Sequence, residues 1–109
     1  MSTSSRRIYR LDTFTVPGDA ITEFVRRIRE THELLRKQPG FVQDFILEQP
    51  AEDGAIRIVT LAEWEDEASI KAAREAVQAM RKTSGFDPGA FMKQAGIEAD
   101  FREYYASDR

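Results

Sequence analysis

The chain has 109 residues, 41% hydrophobic and 32% charged, with a net charge of −3 and an isoelectric point near 5.2. That is the composition of one globular domain rather than of a disordered chain, and its acidic balance does not match the basic footprint of a nucleic-acid binder. The absence of cysteine excludes a disulfide framework and a thiolate nucleophile, and no apolar run is long enough to span a membrane. The opening MSTSSRR is polar, with no apolar stretch behind it, so no signal peptide and a cytoplasmic location are expected. Residues 1–7 are expected to form a disordered or extended tail, and 8–109 a single domain.

In RRIYRLDTFTV, Tyr9, Leu11 and Thr13 alternate with Ile8, Arg10, Asp12 and Phe14, the period-two pattern of a strand. Pro17-Gly18 breaks it, and Asp19 is a candidate N-cap. From Ala20 to Lys37, the spacing of Ile21, Phe24, Val25, Ile28, Leu34 and Leu35 predicts one buried helical face. The charges between them, Arg26, Arg27 and Arg29 included, read as solvated. Gln38-Pro39-Gly40 ends the helix. FVQDFILEQ reads as a second strand, with Phe41, Phe45 and Leu47 on one face and Val42 and Ile46 on the other. Asp53-Gly54 signals a hairpin into a third strand, AIRIVTLAEW, whose apolar residues on both parities predict cover on both faces.

Asp66 is placed to cap a second helix with a small-sided apolar face of Ala68, Ala72, Ala73, Ala76, Val77 and Met80. Lys71, Arg81 and Lys82 on it read as solvated. Asp87-Pro88 opens a short extra helix through Phe91 and Met92 to Gly96. ADFREYYA is the fourth strand. The order β-α-β-β-α-β predicts an α+β, ferredoxin-like fold: a four-stranded antiparallel sheet with the helices on one face. The other face is left apolar and open, which predicts a homodimer packed sheet against sheet.

Two residues stand out. His32, the sole histidine, borders the buried stripe of the first helix. It is either a boundary residue with one nitrogen bonded or, with an ordinary pKa of about 6.5, a general base. Trp64, the sole tryptophan, stands where the third strand ends. It either plugs the core or walls a cavity, where it could stack on a flat substrate and offer its indole N–H to a developing oxyanion. Tyr9 is a strand residue whose hydroxyl could orient a ligand if it faces a cavity, and Met80 reads as core. Phe86, Phe91 and Met92 either cap the core or form an apolar lid; with Tyr9 and Met80 they are the candidate substrate contacts. The acids Glu63, Glu65, Asp66 and Glu67 read as a helix start, so no metal site is expected. No GxSxG, Walker, HExxH or dinucleotide-binding motif is present.

Val16-Pro17-Gly18, Leu35 with Gln38-Pro39-Gly40-Phe41, the acidic-Gly hairpin, and Glu63-Trp64 followed by an acidic cap and Ala68 together resemble the antibiotic biosynthesis monooxygenase family. The likeness runs over roughly residues 8–105 and implies a dimeric α/β barrel with a pocket between sheet and helices in each subunit. The superfamily includes cofactor-free oxygenases of anthrones and quinols, haem-degrading enzymes and proteins of unassigned activity. Trp64 corresponds to a tryptophan implicated in the pocket of the cofactor-free branch. The helix-two histidine of many members is Ala73 here. The strand-one asparagine and helix-two histidine of the haem-degrading branch have no counterpart, since the chain contains no asparagine. The resemblance therefore implies a cofactor-independent monooxygenase, without haem, acting on a small anthrone- or quinol-like aromatic, with His32 as the available base. The alternative is a non-catalytic dimeric ligand-binding or scaffold protein of the same fold.

Overall fold

The computed structural model describes residues 6–109, so the tail expected over 1–7 falls mostly outside the described residues. Four strands, β1 (Ile8–Val16), β2 (Phe41–Pro50), β3 (Ile56–Trp64) and β4 (Glu98–Tyr105), form one sheet in the order β2-β3-β1-β4, antiparallel at each pairing. Helices α1 (Ile21–Arg36), α2 (Glu67–Ser84) and α3 (Pro88–Ala95) complete the ferredoxin-like α+β fold. Among the described residues no helix is long and apolar enough to cross a membrane.

Local chemistry accounts for most of the boundaries. Asp66 caps α2 by accepting the Ser69 N–H at 2.8 Å, and Asp87 caps α3 by accepting the Ala90 N–H at 3.1 Å, with Pro88 at its start. Asp53 and Gly54 both take positive φ (57° and 76°), the geometry a tight β2–β3 connection needs. Asp19 does not cap α1: it lies in a 3₁₀ turn, Gly18–Ala20, closed by the Ala20 N–H on the Pro17 carbonyl at 3.0 Å, which leaves Ala20 at the cap position.

Strand register sets what faces the helices. Paired residues share a face, and the face alternates along each strand. The helix side of the sheet is built in rows, written from β2 to β4: Phe41-Trp64-Ile8-Tyr105, then Asp44-Ala62-Arg10-Glu103, then Ile46-Thr60-Asp12-Phe101, then Glu48-Ile58-Phe14-Ala99. The expected β2 faces are corrected here. A bulge between Phe41 and Gln43 inserts one residue, so Phe41 joins the helix side while Phe45 and Leu47 point the other way.

Two apolar clusters close the ends of the layer. Phe14, Val16, Phe24, Ile28, Ile58 and Ile97 form one; Ile8, Ala62, Trp64, Ile70 and Ala73, with Phe41 and Leu35 against them, form the other. The buried stripe of α2 is Ile70, Ala73 and Val77, whereas Ala68 and Ala72 are exposed. Gly40, at φ 82°, lies against the first turn of α2; a Cβ there would meet the Ser69 Cβ at 2.4 Å.

Among the described residues nothing covers the opposite face, the side on which a second copy is expected. Leu47 and Phe45 on it are 57% and 48% exposed, and Leu11, Val59 and Leu61 continue the apolar surface between them and Tyr104.

Candidate active site

Between the two apolar clusters the layer turns polar. Arg10, Asp12 and Thr60 point inward from the central strands, and Thr31, His32 and Arg81 meet them from α1 and α2. The space they leave is a cavity of about 360 Å³, walled by the rings of Phe14, Phe24, Phe86, Phe91 and Phe101. A second cavity of about 140 Å³ lies toward Trp64, Leu35 and Ile70. Arg10, Asp12, Thr31 and Arg81 line both, so the two are compartments of one cleft.

His32 is not a boundary residue. Phe24, Ile28 and His32, spaced by four, are the buried spine of α1, and His32 is only 6% exposed. Its Nδ1 lies 2.7 Å from the Asp44 Oδ2. A carboxylate only accepts, so Nδ1 carries the proton and donates; in the neutral form of the ring this leaves the Nε2 lone pair free to accept. Asp44 also receives the Arg36 guanidinium at 3.0 Å. Burial alone would raise the Asp44 pKa, but the hydrogen bonds and charges of Arg36 and His32 outweigh it and hold the carboxyl below its ordinary value.

Asp12 behaves in the opposite way. Burial pushes its pKa up, against the opposing pull of the Arg10 hydrogen bond at 2.6 Å and of the His32 charge. Arg81 is lowered by burial and by the like charge of Arg10.

The Asp44 shift predicts acid sensitivity. A depressed folded-state pKa contributes stability that is present above the unfolded value of about 3.9 and is lost as pH falls through the folded one. Asp12, being raised, contributes with the opposite sign and is most favourable below about 3.9. Denaturation midpoints at about pH 6 and about pH 3 should therefore fall less for Asp44→Asn than for the unmodified chain. An equal fall in both would remove Asp44 as a source of the sensitivity.

Trp64 combines both sequence readings. It is 1% exposed, packs edge-on to Phe41 with ring centroids 5.5 Å apart, and belongs to the second apolar cluster; its remaining surface lines the smaller compartment. Phe86, Phe91 and Met92 line the larger one, with Phe91 stacked parallel to Phe24 at 6.2 Å. Met80 borders a further crevice of about 50 Å³ between α1 and α2, which shares Arg27, Thr31, Arg81 and Phe86 with the larger compartment. Tyr9 is on the opposite face of the sheet, paired with Glu63 and Tyr104, because its parity on β1 is that of Leu11 and not of Asp12.

Sequence reasoning passed over Arg10, Asp12, Arg27 and Arg81. Arg27 and Arg81, expected in solvent, line the cavity, while Lys71 and Lys82 are exposed as expected. The signal for the first pair was present: in Ile8, Arg10, Asp12, Phe14, Val16, one strand face carries two charges between buried apolar residues. Among the described residues no group of three or more His, Cys, Asp or Glu side chains is placed to hold a metal ion.

The fold has counterparts among solved structures. A protein from Shewanella loihica PV-4 is 19% identical and superposes with a TM-score of 0.69 over 96% of this chain and 98% of that one. SnoaB, a cofactor-independent oxygenase from Streptomyces nogalater, is 23% identical with a TM-score of 0.63, covering 95% of this chain and 96% of its own. A dimeric ferredoxin-like protein from an uncultured marine organism is 14% identical with a TM-score of 0.66, covering 95% and 98%. At these identities the likeness establishes the fold alone. No curated protein sequence matches. The sequence model of the family described as antibiotic biosynthesis monooxygenase, however, matches residues 7–86, most of the chain. The chain belongs to the antibiotic biosynthesis monooxygenase family.

Proposed function

We propose that this protein is a homodimeric cytoplasmic monooxygenase that oxidises an anthrone- or quinol-like aromatic without a metal or organic cofactor. The observation that carries this reading is the His32–Asp44 pair, 2.7 Å apart, with His32 on the wall of a cleft lined by aromatic rings. Asp44 fixes the His32 tautomer and orientation, and Nε2 takes a proton from the activated carbon of the substrate. The carbanion passes one electron to dioxygen, and the radical pair combines as a peroxide that recovers the proton. Loss of water then turns CH₂ into C=O, with one oxygen atom in the product and one in water, and no outside reductant is needed. The rings align the flat substrate, and the enclosure limits access of bulk water to the anion. Thr60 supplies a donor to the developing oxyanion.

The test is oxygen uptake with a reactive anthrone, measured against the uncatalysed autoxidation rate. Uptake no faster than autoxidation, with the ligand still bound, would favour the rival reading of a binding or scaffold module. The close packing of Trp64 is the observation on that rival's side.

The open face is the proposed dimer surface, in keeping with the dimeric ferredoxin-like relative. Leu47→Glu and Phe45→Glu each place a charge on that apolar surface, so each should shift the protein from dimer to monomer in sedimentation. Unchanged sedimentation of both variants would move the interface elsewhere.

A further inference from the structure

The protein is acidic overall, but its cleft is not. The carboxylates near the cleft are already matched: Asp12 by Arg10, Asp44 by Arg36 and His32, Glu103 by Arg74, and Glu23 and Glu30 by Arg26. Two guanidiniums are matched weakly or not at all. Arg81 has no carboxylate within ion-pair distance among the described residues, and burial beside Arg10 works against its charge. The Arg27 Nε is buried without a hydrogen-bond partner, and its nearest carboxylate oxygen, on Glu23, is 3.7 Å away and engaged with Arg26. The Arg27 guanidinium lies 4.0 Å from the centroid of the Phe86 ring, which holds it at the cavity wall.

A buried donor without a partner and a half-buried cation without a paired carboxylate both carry a cost that a bound acceptor would relieve. Guanidinium forks match the two oxygens of a carboxylate. We propose that the cleft takes an aromatic acid, with the ring system between Phe24, Phe91 and Phe101 and a ring carboxylate received by Arg27 and Arg81. This rests on the reading of the cleft as a ligand site and specifies the class of substrate that site selects.

The experiment is calorimetric titration of the protein with naphthoate and with naphthamide, its neutral isostere, at low and high salt. Naphthoate should bind about tenfold or more tightly at low salt, because a hydrogen bond to a charged group contributes more than a neutral one. The preference should shrink at high salt. Arg81→Met and Arg27→Gln should each reduce it while naphthamide affinity stays, and that retained affinity shows that the variant is folded. Equal affinity for the two probes, or a preference that survives both substitutions, overturns the proposal and leaves the aromatic cleft intact as a site. Failure of both probes to bind overturns the proposal and the reading of the cleft together.

Discussion

A His32→Ala variant is expected to lose about 10²- to 10⁴-fold of its oxygen uptake with an anthrone, the range over which a positioned general base acts. The loss should fall on turnover more than on substrate affinity, because the phenyl rings proposed to hold the substrate remain. Asp44 keeps the Arg36 guanidinium in the variant, so its charge is not orphaned and the fold should survive. The space vacated by the ring admits free imidazole, and added imidazole should restore part of the rate. Asp44→Asn provides the second arm. It leaves the imidazole in place but removes the carboxylate that fixes Nδ1 as the donor, so turnover should fall while binding persists. Full activity in His32→Ala would assign the base elsewhere. Asp12 would then be the next candidate, since it lines both compartments and burial raises its pKa.

Gly40→Ala is expected to be the most damaging single change to the fold, at about 3 kcal/mol or more. Two separate terms add. The backbone at φ 82° is strained for any residue with a Cβ. The new Cβ would also fall 2.4 Å from the Ser69 Cβ, an atom fixed in the first turn of α2 rather than the end of a flexible chain. The Gly40 carbonyl accepts the Glu65 N–H at 2.9 Å, so any displacement pulls on the exit of β3 beside Trp64. Thermal denaturation measures the total, and the double change Gly40→Ala with Ser69→Gly separates the terms by restoring only the steric part. A melting temperature unchanged in Gly40→Ala would show that the α2 turn yields easily.

The fold was readable because each element carries its own signal. The caps Asp66 and Asp87, the Asp53-Gly54 turn and the breaker Gln38-Pro39-Gly40 are local chemistry, and the structure keeps them. The faces of β2 were not readable, because one bulge residue reverses every side chain beyond it and leaves no mark in composition. The site was half legible. His32 and Trp64 drew attention as sole members of their kinds, but the Nδ1 contact joins α1 to β2, two elements whose relative placement is a tertiary matter. Arg27 and Arg81 looked like ordinary members of charged helix faces. Only the position of α1 and α2 over the central strands separates them from Arg26 and Lys82. Asp12 and Arg10 were hidden by the habit of reading charge on a strand as its wet side.

Trp64 brings a last consequence. The chain has one indole, 1% exposed, held edge-on by Phe41 and bordering only the smaller of the two compartments. Its emission is therefore a native optical reporter with a defined address. It should be blue-shifted in the folded protein, and a ligand reaching the inner compartment should change its intensity without any label. A ligand confined to the phenylalanine-lined compartment should leave it nearly unchanged, so one spectrum tells how deeply the cleft is filled.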